Sequence, residues 1–430
     1  MSELKLTDIF DYSEITDECI KCGKCIPVCT IHNVHADETT SPRGFLDLLG
    51  NYHKGRLDLD ANAKAIFESC FLCTACVEVC PKSLPTDRVI EQVRADIGKK
   101  FGIAWYKKLF FLLLRHRWLN DIAFKLGWVF QTCGFKIQAD IDSMSSRFNL
   151  PMLRADRVLP SLRKTSFLNK HKHEELIENG GKRRVAIFIG CLGNYNYVNV
   201  GESLLEILKH LGIDAFLARD QKCCSAPAYF TGDFDTVDHN AKFNIEYFES
   251  FSKDVEAIIV PEATCSAMLK IDYEHYFHDQ PQWRERAVAI SKKIFMATEW
   301  LEKHTDLKEK LKAKGKNLPS VTYHDPCHAK KMQDIYKEPR ALLSQNYELV
   351  EMSDPNMCCG FGGVTMQSEK YHLAKAAGLP KGAMIKDTNA TYVSSECSAC
   401  RMQINASMNY VEAPQIFKNP IELIAEALRD

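Results

Sequence analysis

Two cysteine runs constrain this chain more than any other feature. The first reads CIKCGKCIPVC and places Cys19, Cys22, Cys25 and Cys29. The second reads CFLCTACVEVCP and places Cys70, Cys73, Cys76 and Cys80 before Pro81. Both follow C-x2-C-x2-C-x3-C. In such a run three close thiolates take three corners of a cubane, and the fourth, one helical turn on, ligates the other cluster. The expected ligand sets are Cys19, Cys22, Cys25 with Cys80, and Cys70, Cys73, Cys76 with Cys29. Small residues at Gly23, Thr74 and Ala75 let backbone N–H groups approach cluster sulfides. Structural zinc uses pairs of C-x2-C with four ligands per ion, which the third C-x2 step fits poorly. Two [4Fe–4S] clusters are therefore expected.

The whole chain has eighteen cysteines, and only Cys133 stands outside an ordered group. The opening MSELKLTDIFDYSE is acidic and lacks an apolar core, so no leader is expected. No stretch approaches the roughly 18–20 apolar residues of a membrane span. The expectation is a cytosolic protein, where disulfides are rare and clustered thiols mean metal or redox chemistry. A net charge of −1 gives no general attraction to nucleic acid. The cysteine runs and the helix-like stretches SPRGFLDLLGNYHKG and LDANAKAIFESC predict an α-helical domain of the ferredoxin type over residues 1–98.

Residues 99–182 are expected to form a connecting helical segment. Within 99–130, apolar and aromatic residues alternate with Lys99, Lys100, Lys107, Lys108, Arg115 and Arg117. Two readings stand: a helix packed between domains with its basic side in water, or an interfacial helix lying on a membrane or a partner.

From residue 183 the chain repeats itself. RRVAIFIGC ends at Cys191 and LPSVTYHDPC at Cys327. Each is a strand-like run followed by a helix, a second strand, and a pair of adjacent cysteines, Cys223/Cys224 or Cys358/Cys359. Adjacent cysteines strain a disulfide, so another role for sulfur is expected. A further helix and a third strand lead to Cys265, or to Cys397 and Cys400. The β-α-β-α-β alternation predicts two α/β domains with parallel sheets, at 183–318 and 319–430. Ligands of such sheets bind beyond the carboxyl ends of the strands, where these cysteines fall.

The spacing of Cys327, Cys358, Cys359, Cys397 and Cys400 resembles that of iron–sulfur proteins with two cysteine-rich CCG domains. The CCG-bearing component of heterodisulfide reductase and the iron–sulfur subunits of glycolate and lactate oxidases carry this pattern. Two ferredoxin runs ahead of two such domains most resemble the iron–sulfur component of anaerobic glycerol-3-phosphate dehydrogenase, as do GCLGNYN, ATCSAML, YHDPCHAKKM and ECSACRMQI. SPRG after the first run is instead similar to the glycolate oxidase protein. The first repeat departs from the pattern: Ser225 replaces the motif glycine, and Met268 stands where a fifth cysteine could be. That half, with Cys191, Cys223, Cys224 and Cys265, could hold an ordinary four-iron cluster or none. The resemblance implies a further cluster, of cubane or non-cubane type, at the five-cysteine set of the second half. His324 and His328 flank Cys327, either as cluster-tuning or proton-supplying groups or as satisfied loop histidines.

The resemblance implies an electron-transfer subunit of a respiratory chain. It would carry electrons from a flavoprotein dehydrogenase, acting on glycerol 3-phosphate, glycolate or lactate, to a membrane quinone or membrane subunit. It would sit peripherally on the cytoplasmic face of the inner membrane. The absence of GxGxxG after a strand agrees with a separate flavin subunit. The alternative is a chain that itself reduces a disulfide at a CCG-domain cluster.

Overall fold

The computed structural model describes residues 12–138, 142–149 and 153–429. The opening segment read above for the absence of a leader falls largely in residues 1–11, outside the described residues.

The N-terminal region is helical. Ser41 caps the helix Pro42–His53 by accepting from the Gly44 N–H at 2.9 Å, and Pro42 fits the first turn. Phe45, Leu46 and Leu49 on one face are buried. The helix Thr86–Phe101 closes the region, burying Val89, Ile90, Val93 and Ile97. At its centre the buried Arg94 donates to three carbonyls: Phe67 at 3.3 Å, Cys70 at 2.6 Å and Phe230 at 2.8 Å. One guanidinium thus pins a cysteine loop to a loop that lies 136 residues beyond the arginine itself.

Two helices follow, Trp105–Arg115 and Arg117–Gly134. The expected helical connector ends there. Residues 135–160 instead carry an antiparallel sheet of β1 (Phe135–Gln138), β2 (Ser143–Ser146) and β3 (Val158–Pro160). The segment lacks a helical apolar period, while SMSS and VLP fit short paired strands.

The first α/β half holds β4 (Leu176–Ile177), β5 (Arg184–Ile187), β6 (Asp214–Leu217), β7 (Ala257–Val260) and β8 (Ile294–Met296). Their order is β4-β6-β5-β7-β8, with only β4 antiparallel. The second half holds β9 (Leu318–Tyr323), β10 (Tyr347–Leu349), β11 (Tyr392–Ser394) and β12 (Ile416–Lys418) in the order β10-β9-β11-β12, all parallel. Leaving β4 aside, both sheets run second strand, first, third, fourth. The chain reverses direction across the sheet between the first and third strands, which opens a ligand crevice at their carboxyl ends.

Strand faces explain the layering. Val185 and Ile187 join the core shared with the second half, with Val321, Tyr323 and the last helix, Pro420–Leu428. Ala186 and Phe188 face the other way, into the core shared with the N-terminal helices. Both faces are buried, as parallel sheets require.

The contact between the N-terminal region and the first half also buries acids. Asp272 lies near Asp87 and Glu91 of the helix Thr86–Phe101, and burial lifts its pKa to about 8. An acid whose folded pKa is raised stabilises fully below its unfolded pKa, and that contribution is lost as pH rises toward the folded value. Thermal unfolding should therefore fall in midpoint from pH 5.5 to 8.5. Asp272→Asn should flatten that slope, since one such group contributes at most about 1.4 kcal/mol per pH unit. An unchanged slope in the variant would remove Asp272 as the cause.

Candidate metal centres

The two N-terminal runs fold alike. Lys21 and Gly23 in the first, and Leu72 and Thr74 in the second, all have positive φ, between 50° and 78°. These are equivalent positions, two and four residues after the first cysteine. Left-handed backbone costs a non-glycine residue roughly 1–2 kcal/mol, so its recurrence marks a shape that both loops need. The shape turns N–H groups toward sulfur: the Leu72 N–H donates to Cys70 Sγ at 3.4 Å. Thr30 Oγ1 adds a contact to Cys73 Sγ at 3.3 Å.

Two small concavities result. One, of about 30 Å³, is walled by Cys19, Cys22, Cys25, Cys76 and Cys80. The other, of about 20 Å³, is walled by Cys29, Cys70, Cys73 and Cys76. The fourth cysteine of each run thus stands with the other run's first three, and Cys76 reaches both hollows. Burial pushes the Cys29 and Cys70 thiols up to about 12. Neither is a thiolate at neutral pH unless a cation replaces its proton, so metal loading here releases protons.

In the first α/β half, the sulfurs lie in hydrogen-bond reach in the series Cys191, Cys223, Cys224, Cys265. In the second, the series is Cys327, Cys358, Cys359, Cys400, Cys397, with Cys359 and Cys400 3.4 Å apart. Each set gathers at the carboxyl end of its sheet, around the first and third strands. The N–H two residues after the first cysteine of each pair donates to that sulfur, Ser225 to Cys223 and Gly360 to Cys358, both at 3.4 Å.

Ser225, the departure from the glycine motif, adopts φ 73°, and Gly360 adopts φ 87°. The serine therefore keeps the loop shape. Its hydroxyl has room and accepts from Asn240 Nδ2 at 3.0 Å. Gly360 has no such room, because a Cβ there would stand 2.8 Å from the Gly378 nitrogen. Gly360→Ala should destabilise the second half by at least the roughly 1–2 kcal/mol of left-handed strain, read by chemical denaturation. Ser225→Gly should be near neutral, and equal losses in the two would contradict this account.

Sequence reasoning missed one convergence. Cys73, from the second N-terminal run, reaches Cys358 Sγ, and Cys327 lies close by. Lys331 sits beside them, with Nζ 3.8 Å from Cys327 Sγ. No local pattern signals a contact across such a sequence distance. The two halves also meet directly: Glu262 accepts from the Ser398 N–H at 2.6 Å, and Glu396 accepts from the Thr298 N–H at 3.2 Å. His324 lies with Cys359 and Cys400, ligand atoms within 4.8 Å of one another. His328 is half-buried, stacks on Phe230 at 5.5 Å, and has a pKa lowered to about 4 by desolvation, so it is neutral at pH 7.

Between the halves lies a cavity of about 400 Å³. Cysteines of both α/β sets and Cys73 line it, together with apolar groups such as Phe110, Leu114, Leu159 and Phe361.

Converging thiols, N–H groups aimed at sulfur and repeated left-handed loops fit iron–sulfur clusters and define an iron–sulfur protein of several thiol-rich sites. Residues 15–84 match the model of the 4Fe-4S dicluster domain, and residues 185–270 and 321–405 match that of the cysteine-rich domain, CCG. The chain is 29% identical to the probable glycolate oxidase iron-sulfur subunit of Bacillus subtilis, over 92% of this chain and 90% of that one. It is 28% identical to one of the subunits of the fumarate reductase (CoM/CoB) of Methanothermobacter marburgensis, over 91% and 68%. Lactate utilization protein A of Bacillus cereus is 31% identical, over 51% of this chain and 90% of its own length. The chain belongs to the family of iron–sulfur oxidoreductases with cysteine-rich CCG domains.

Proposed function

We propose that this chain is the electron-transfer subunit of a flavin-dependent dehydrogenase complex. The partner oxidises a small hydroxy compound: glycolate, lactate or glycerol 3-phosphate. Electrons leave to a membrane quinone. The names of the glycolate and lactate relatives support the first part. The observation that carries the reading is the approach of Cys73 to Cys358 and Cys327.

Iron–sulfur clusters, when bound, supply one-electron transfer at potentials set by their surroundings. Cys19, Cys22, Cys25 and Cys80 hold one such group, and Cys29, Cys70, Cys73 and Cys76 a second. Cys327, Cys358, Cys359, Cys397 and Cys400 hold a third, and the four thiols of the first half are set to hold another. The protein's own part is to bring these sets together and keep water out. Lys331 places a positive charge between two of them, which favours the more negative, reduced state.

The test uses anaerobically purified protein, reduced with dithionite and mixed with a soluble menaquinone analogue. Rapid return of the visible iron–sulfur absorption is expected. Reoxidation by organic disulfides but not by the quinone would overturn the reading. It would favour a disulfide reductase instead, for which the complete five-cysteine set at the cavity wall is the motivating observation.

A further inference from the structure

The helices Trp105–Arg115 and Arg117–Gly134 are held firmly by their inner faces. Lys107 is buried and pairs with Glu369 at 2.7 Å, and Tyr106 donates to the same carboxylate at 2.6 Å. On the second helix, Asp121 accepts from the Tyr195 hydroxyl at 2.8 Å, and Phe124 stacks on the Tyr195 ring at 4.2 Å. Phe110, Leu114, Asn120 and Phe124 wall the central cavity.

Their outer faces expose large apolar side chains beside basic ones. Trp105, Leu109 and Leu112 form one stripe at helical spacing, and Trp118, Ile122, Leu126, Val129 and Phe130 form another. Trp105 is 70% exposed, Trp118 63% and Phe130 62%. Around the stripes, Lys99, Lys100, Lys108, Lys125 and Lys136 are exposed too. Residues 99–138 contain eight Lys or Arg and one Asp, a net of +7, in a chain whose net charge is −1.

We propose that this helix pair is a docking face for an anionic lipid bilayer. The aromatic and aliphatic stripes enter the headgroup boundary, and the lysines meet lipid phosphates. A strong apolar face rimmed by basic residues is the composition of a helix that lies in the interface. No helix of the described residues is long and apolar enough to cross a membrane, so the pair lies on the surface. Charge argues for lipid over a second copy of the chain, because two such faces would repel. The face on lipid and the wall of the cavity belong to the same two helices.

The experiment is co-sedimentation of the iron-loaded protein with quinone-free vesicles. One set is phosphatidylcholine, the other a mixture with phosphatidylglycerol. Binding to the mixture should be tighter by about tenfold or more, given roughly 1 kcal/mol per basic residue near an anionic surface, and should weaken with salt. The double variant W118E/L126E and the double variant K108E/K125E should each lose it. Both alter exposed positions, so unchanged iron content and circular dichroism should accompany the loss. Equal binding to both vesicle types, or none to either, would overturn the proposal. So would a wild-type dimer that W118E/L126E dissociates, or loss of binding to a protein subunit alone. Because no electron acceptor is present, failure here leaves the electron-transfer reading untouched, and the reverse also holds.

Discussion

Cys359→Ser abolishes reoxidation by the quinone analogue and removes the spectroscopic signal of the second α/β half, while both N-terminal signals persist. This is the largest effect expected of a single atom. Cys359 stands at the centre of the five-sulfur series, between Cys358 and Cys400, and its sulfur also faces His324. A hydroxyl is a harder, less readily ionised donor than a thiolate and a poor substitute in a cluster site. Nothing in the N-terminal hollows involves Cys359. Iron analysis and electron paramagnetic resonance during stepwise reduction read the outcome. If every signal survives, Cys359 is not a ligand and the paired cysteines need another explanation.

Arg94→Leu loosens the N-terminal region from the rest of the chain and costs about 3–5 kcal/mol. The arginine is the donor for three carbonyls, and each bond from a charged donor contributes on the order of 1.5–3 kcal/mol. Leucine matches its stem and leaves those carbonyls without a partner. Because one of them belongs to Cys70, the variant should also release iron to a chelator faster than wild type. Chemical denaturation and chelator kinetics measure the two effects. Unchanged values for both would mean that the loop is held by its cysteines alone.

The cysteine runs, the repeat and the crevice position were legible because each depends on local spacing. A C-x2-C step fixes loop geometry within a few residues, and a strand ending at a cysteine points to the sheet edge without further information. The fourth strands, β8 and β12, left no comparable mark. IFM and IFK are three residues long, too short for alternation to show. The small antiparallel sheet of residues 135–160 escaped for a similar reason. Arg94 was silent because one arginine in an amphipathic helix reads as solvent-facing, and only the fold reveals its three carbonyls. Helices 105–134 presented a different difficulty. Apolar residues occupy both sides of them, so periodicity could not say which side meets water. In the structure Lys107 is buried, whereas Trp118 and Lys108 are both exposed, so apolar and basic groups share the outer side.

The inner N-terminal hollow has a bearing on how the protein is made. It lies close under the C-terminal half: a Cβ on Gly362 would stand 2.8 Å from the Phe71 ring, and Asn356 Nδ2 donates to Glu78 at 3.0 Å. Cys22 remains open to solvent, whereas Cys29 is covered. The ribosome releases both N-terminal runs long before residues 356–370 exist. During that interval Cys29 has no C-terminal half above it, whereas in the complete chain it is buried and Cys70, Cys73 and Cys76 are left half-exposed. Loading a completed chain thus means reaching one buried thiol through three that are half-exposed.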